Sequence, residues 1–529
     1  MSTAKDRRYR SGALCPMAFF ETLLMLLFVA ILLLQVARRF AVPYPTMLAI
    51  AGVLAASLPW APHIAIEPQL AMALFIAPAL LDAAFDLPPR ELRRHWRPLV
   101  ALAAVAVILT TAAVAWTAVA LKGLPIAAAI ALGAIVAPPD AAAAAAMLAR
   151  FQLPRRMVSV LKGESLLNDA VALLIFAAAV SAATSSEPTI NLLPQLALAA
   201  PGGVLLGIAI GATLAWMMRW LSGTLSATLL GFVATFGAWV IAEHLHLSPI
   251  LCVVAHGMTV AHLVPARQSP RERVLTYAVW EAIVFLLNVL AFFLMGLQAS
   301  EIVSRLNPAE IWEACAFAAI VFGVVVVVRV AWVMLYTHAK TYVAAGHGGR
   351  NVAGRSQGLL ISWCGMRGLV TLATALSLPG TFPERDLIVL SAFAVVLGTL
   401  VLQGLTLGPL LSRLSFPPDQ SFGKELAAAR MRLLDAAMAS MADRDDIFSK
   451  RLRSTYLEER EIAENGDHPR DVSEFDSLRR DNIAAKRVKL AALRREGAID
   501  DDVFHALEQE LDWAELAVSP PSRIELVES

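Results

Sequence analysis

Charge is scarce in this chain of 529 residues: 16% are Asp, Glu, Lys or Arg, while 58% are hydrophobic. Together with a mean hydropathy of +0.64, that shortage excludes an ordinary soluble enzyme. Cysteine is scarce too. The four present (Cys15, Cys252, Cys315 and Cys364) lie in or beside apolar stretches, with no CxxC pair and no Cys/His spacing that would hold zinc. Neither disulfides nor a structural metal nor a cofactor is expected. A nucleic-acid motif is also lacking, so no nucleic-acid partner is expected. Basic residues at the N-terminus precede an apolar run, but no small-residue cleavage site ends that run, which therefore reads as a retained membrane helix.

The net charge of +1 hides two unlike regions. Up to Leu414 there are 27 basic and 18 acidic residues; from Ser415 onward there are 17 and 25. The organisation expected is an N-terminal tail over 1–16, a membrane domain over 17–414 and a cytoplasmic helical region over 415–529. In that last region Leu426, Leu433, Leu434, Met438 and Met441 recur at helical spacing, and Asn465-Gly466-Asp467 marks a break.

What is abundant is long apolar runs. About 20 apolar residues at 1.5 Å rise cross a bilayer, and thirteen runs qualify. They lie near 17–37, 44–61, 67–85, 98–120, 124–149, 156–183, 192–219, 224–243, 248–265, 274–299, 310–338, 356–378 and 386–413. The links after odd-numbered runs hold 16 Lys and Arg; those after even-numbered runs hold three, Lys122, Arg305 and Arg385. Short cytoplasmic links retain basic residues, so the C-terminus is expected inside and the N-terminus outside. Lys5, Arg7, Arg8 and Arg10 argue the other way and are outnumbered.

Ionisable residues within a span are costly and mark function. Asp140, Asp169, Arg329 and Arg367 each lie ten to thirteen residues in from the nearest basic link, which puts all four about 15–20 Å deep, in one layer. Around Asp140 the fifth run reads GAIVAPPDAAAAAAML. Pro138 and Pro139 cannot donate backbone hydrogen bonds, so this helix is expected to break there and free carbonyls for a cation. The twelfth run has Gly365 and Gly368 on either side of Arg367, which permits a second break. Runs five and twelve hold equivalent places in two six-helix halves that run in opposite directions, the arithmetic of an inverted repeat. Run six opens KGESLLNDAVALLIF, where Glu164 and Asn168, and Ser165 and Asp169, are spaced i, i+4 and crowd oxygen-bearing side chains into about two turns. Desolvation disfavours a bare carboxylate, so an isolated acid here would exchange a proton for a cation. Two buried anions would be expensive. One acid is therefore expected to be paired permanently with an arginine while the other titrates.

The segments GESLLNDA, APPDA, CGMRGLVTLATAL, FLLNVLAFFLMGLQ and GTLVLQGLTLGPLL resemble the sodium/proton exchangers of the first monovalent cation:proton antiporter family, in their bacterial NhaP-like branch. The similarity covers about residues 20–415. It implies an all-α polytopic membrane protein with thirteen spans and two broken crossing helices, forming a homodimer in the bacterial inner membrane. It also implies exchange of Na⁺, with Li⁺ and K⁺ as further candidates, for H⁺ in cytoplasmic pH and sodium homeostasis. Carried over, Asp169 is the shared proton and cation ligand, with Asn168 beside it and Ser165 and Asp140 completing a Na⁺ site. Glu164 pairs with Arg329, and Arg367 stands at the crossing. Many relatives have Thr before the run-five Asp and Pro after it. Here Pro139 precedes Asp140 and Ala141 follows, so one hydroxyl ligand is missing, which bears on ion preference and affinity.

Two other classes compete. An intramembrane aspartyl enzyme built on Asp140 and Asp169 lacks a Gly-x-Gly-Asp pattern, and arginines at the same depth would neutralise its dyad. A channel would pass cations without proton coupling. His244, His246, His256 and His262 read as interfacial or packing histidines, since no third ligand matches them.

Overall fold

The computed structural model describes residues 16–40, 44–56, 67–85, 97, 99, 101–140, 155–184, 193–304, 308–345, 354–414, 421–464, 474–496, 498 and 500–518. The described residues are predominantly helical, without a strand. The chain divides into two compact units, Met1–Pro417 and Pro418–Glu528. Residues 1–15 of the expected N-terminal tail, the segment 141–154 after Asp140 and the Asn465-Gly466-Asp467 break lie outside the described residues, and Pro16 already belongs to the first helix.

In chain order the first unit contains α1 (Pro16–Phe40), α2 (Tyr44–Ala56) and a helix that runs as α3 (Pro68–Ala71), a π-turn (Met72–Ile76) and α4 (Ala77–Phe85). A second π-turn (Ala101–Val105) leads into α5 (Ala106–Lys122), then α6 (Ile126–Val136), α7 (Arg155–Thr184), α8 (Leu193–Leu221), α9 (Leu225–His244) and α10 (Pro249–Leu263). There follow α11 (Pro270–Ser304), α12 (Pro308–Ala345), α13 (Gly354–Trp363), α14 (Leu369–Leu376) and α15 (Arg385–Arg413). Among the described residues, seven helices are long and apolar enough to cross a membrane, and five further apolar stretches of 10–17 residues accompany them.

Helix ends follow local chemistry. Gly123, at φ 64°, closes α5: its N–H bonds to Val119 and that of Leu124 to Ala118, the pairing of a left-handed C-cap. Ser248 opens α10, its Oγ accepting from Leu251 N at 3.4 Å with Pro249 at the first helical position. Between helices in lipid, close packing replaces the hydrophobic drive. The glycine face of α8 shows how: a Cβ on Gly207 would come within 2.1 Å of the Cys252 carbonyl of α10.

Two large buried apolar clusters, with three smaller ones beside them, fill the described part of this unit. One joins α1, α2, α4, α10 and α11 to the first half of α7 and the later part of α15. The other joins α5, α6 and α12 to the second half of α7 and the early part of α15. The broken pair α13/α14 enters both, so α7, α14 and α15 lie along the boundary where the polar layer sits.

The second unit has four helices, α16 (Ser421–Ala439), α17 (Ile447–Glu464), α18 (Glu474–Arg495) and α19 (Asp501–Val518), with α16 packed on α17 and α18 on α19. Asp446 caps α17 through bonds from Phe448 N and Ser449 N at 2.9 Å each. The Ser449 amide is the main influence holding its carboxyl below the usual carboxylate range. Arg487 of α18 reaches Asp512 and, at 2.8 Å, Glu515 of α19.

Candidate ion-binding site

The site is built where three pieces of chain meet: the end of α6, the first half of α7, and the interruption between α13 and α14. Helix α6 stops at Val136, just before the two prolines. The twelfth run breaks over 364–368, leaving α13 and α14 as half-helices. The interruptions interlock. Asp140 N donates to Met366 O at 2.6 Å, and Leu369 N donates to Asp140 Oδ2 at 3.3 Å. Asp140 thus places a carboxylate at the N-terminal, positive end of the α14 half-helix. A Cβ on Gly368 would lie 1.7 Å from that same Oδ2, so no other residue leaves room for the approach.

Arg367 is fully buried and its guanidinium is spent on backbone. Nε donates to Val136 O at 3.1 Å and Nη2 to Ala137 O at 3.3 Å, carbonyls released at the end of α6, while Nη1 bonds Gly365 O. Its own N–H donates to Thr399 Oγ1 of α15 at 3.0 Å. Arg329, on α12, takes the opposite end of the break. Its Nη1 lies 2.6 Å from Glu164 Oε1, and its Nη2 and Nε reach Ile361 O and Ser362 O, the carbonyl end of α13, at 3.1 and 3.3 Å. Both partners of this ion pair are at least 96% buried at the side chain. Gly365 is again a steric necessity, because a Cβ there would come 2.0 Å from Arg329 Nε.

Pro139 contributes a backbone acceptor where it lacks a donor. Its carbonyl accepts from Ser165 Oγ at 3.3 Å and Asn168 Nδ2 at 3.4 Å, tying the α6 terminus to α7. Asp169 follows on the same helix, 5% exposed, and Asp140 is near enough to act on it electrostatically. Among the described residues, Glu164 Oε2, Asn168 Oδ1 and Thr371 Oγ1 are buried without a partner. The arrangement offers carboxyl, hydroxyl, amide and carbonyl oxygens around one point, the donor set of a hard cation.

The structure thus brings together Asp140, Glu164, Ser165, Asn168, Asp169, Arg329, Arg367, Gly365 and Gly368. Sequence reasoning gave no part to Thr399, nor to the carbonyls of Val136, Ala137, Ile361 and Ser362. A threonine in mid-helix is the only mark of the first; the carbonyls leave no mark, since every residue type carries one. His256 is buried, whereas His244 and His246 are exposed.

A helical membrane protein whose broken helices interlock around buried acids and arginines is a secondary transporter in architecture. The chain matches the family described as sodium/hydrogen exchanger, transmembrane, over residues 24–413, and it belongs to that family. It is a multi-pass membrane protein of the monovalent cation:proton antiporter type. An uncharacterized Na⁺/H⁺ exchanger of Mycobacterium tuberculosis is 29% identical to it over 521 residues, covering 92% of this chain and 94% of that one. The sodium, potassium, lithium and rubidium/H⁺ antiporter of Bacillus subtilis is 28% identical over 534 residues, covering 96% and 79%. In fold it is similar to the sodium proton antiporter MjNhaP1 from Methanocaldococcus jannaschii, with a TM-score of 0.60 and 16% identity over 75% of this chain and 99% of that one.

Proposed function

We propose that this protein exchanges Na⁺ for H⁺ across the bacterial plasma membrane, with Asp169 carrying either ion in turn. The observation that carries this reading is the division of charge at the crossing. Glu164 is neutralised by Arg329, and Arg367 is committed to carbonyls, so both arginines are engaged away from Asp169. A carboxyl in such a place is neutral with a proton or with a monovalent cation. Ser165, Asn168 and Asp140 shape the cation site, and the Pro139 carbonyl stands within reach of it. The names of the relatives, one of which includes potassium, lithium and rubidium, support testing Li⁺ and K⁺ beside Na⁺.

In this reading the thirteen runs all span, in two inverted six-helix halves, with the N-terminus outside, residues 1–16 as a tail and 415–529 in the cytoplasm. The working unit is a homodimer, and the crossing rocks against the remaining helices. An enzyme is not needed. The test is purified protein in liposomes bearing an internal pH dye. Addition of Na⁺, Li⁺ or K⁺ outside should drive proton efflux from the lumen, and cation uptake without any proton movement would replace the antiporter by a channel.

A further inference from the structure

In the second unit, α18 rests one face on α19 and leaves the opposite face bare. Ile483 and Leu490 are buried, Arg487 reaches Asp512 and Glu515, and Arg494 stands over the Phe504 ring, 4.4 Å from its centroid. On the other side Leu478, Asp481, Ala485, Val488, Ala492 and Arg495 recur at alternating three- and four-residue steps, the spacing of a coiled-coil seam. Leu478 is 59% exposed and Val488 70%, so no described segment covers these two. Asp481 and Arg495 stand one heptad before and one heptad after Val488. Among the described residues neither forms an ion pair: Arg495 donates only to the Ala491 carbonyl of its own helix, at 3.3 Å, and the Asp481 carboxylate has no partner. The two lie about 21 Å apart along the helix, too far to meet each other.

From these features we infer that this face of α18 pairs with the same face of a second copy of the chain, the two helices antiparallel about a two-fold axis near Val488. Turning the copy end for end sets each Asp481 beside the other copy's Arg495, so the two lone charges are matched twice over. A parallel pairing in register would instead set acid against acid and base against base. Such surface ion pairs select direction more than they hold the helices together. Burial of Leu478 and Val488 supplies the attraction, and the small Ala485 and Ala492 let the backbones approach. This inference rests on the homodimer reading. Two chains held by their membrane helices keep their tails at a high effective concentration, at which a small interface suffices.

The test is oxidative cross-linking of full-length Val488→Cys in maltoside detergent, with light scattering on the same samples and the wild type, whose four cysteines set the background. A thiol near the axis meets its own copy, so a disulfide-linked dimer is expected at least tenfold above background. Asn482→Cys, exposed but off the seam, should stay at background. Asp481→Arg should cut the Val488→Cys yield at least fivefold, and adding Arg495→Asp should restore it. That rescue cannot arise within one helix, because the two positions are too far apart. A dimer by light scattering without the Val488→Cys link overturns the pairing and leaves the homodimer reading standing, whereas a monomer overturns both. An unchanged yield in Asp481→Arg, or no rescue, overturns the antiparallel register and the proposal with it. A Val488→Cys thiol open to maleimide in detergent and shielded only in liposomes assigns the face to the bilayer and also overturns the pairing. Should Asp481→Arg fail to fold, the contrast between Val488→Cys and Asn482→Cys decides.

Discussion

Asp169 and Glu164 stand five residues apart on one helix, yet their surroundings are opposite. Glu164 has an arginine at 2.6 Å; Asp169 is beside another acid, Asp140. Asp169→Asn should therefore fold normally and lose exchange, because an amide neither releases a proton nor offers a charge to a cation. Retained antiport with any alkali ion, measured in liposomes with the wild type alongside, would take Asp169 out of the mechanism. For the ion pair the expectation concerns stability. Removing one partner leaves a buried charge and costs about 3–5 kcal/mol, so Glu164→Gln and Arg329→Gln should each lower the melting temperature strongly. The double replacement should recover much of the loss. Additive effects in the cycle would show that the two charges do not depend on each other.

At the scale of the element, a broken helix exposes two unsatisfied ends, and each here meets a charge of opposite sign. Asp140 stands at the amide end of α14 and Arg329 at the carbonyl end of α13, which complements both half-helix dipoles. The glycines make the approach possible. Gly368→Ala would drive its Cβ into Asp140 Oδ2, and Asp140 is fixed by its backbone bond to Met366. Overpacking of this kind costs about 1–3 kcal/mol. We expect a lower melting temperature together with loss of exchange, read by thermal unfolding and the liposome assay on the same preparation. An alanine variant as active as wild type would show that the crossing is loose. The breaks themselves were legible in Pro138-Pro139 and in Gly365 and Gly368. Their interlocking was not, because the bonds that join them run from backbone groups separated by more than 200 residues.

Across the whole molecule, function depends on net charge moved. If Asp169 alone titrates while Glu164 stays ionised against Arg329, the loaded site bears the same charge with one proton as with one monovalent cation. Exchange is then electroneutral. A membrane potential, acting at about 2.3 kcal/mol per elementary charge per 100 mV, should favour neither direction. The measurement is cation accumulation in proteoliposomes under an imposed voltage with no chemical gradient. Accumulation above the zero-voltage control would mean that a second charge moves and that Asp169 is not the one titrating group.

Composition alone determined that this is a helical membrane protein with a charged appendage, because a bilayer admits long apolar helices and expels most charge. It also marked the few residues that matter, since Asp140, Asp169, Arg329 and Arg367 are too costly in lipid to be incidental. Depth could be counted along each helix from the basic links. Direction about the helix axis could not, because it depends on packing between segments far apart in the chain. By depth alone the two arginines were equivalent as partners; the family resemblance named Arg329, and the fold turns Arg329 toward Glu164, 165 residues away, and Arg367 toward the carbonyls of Val136 and Ala137.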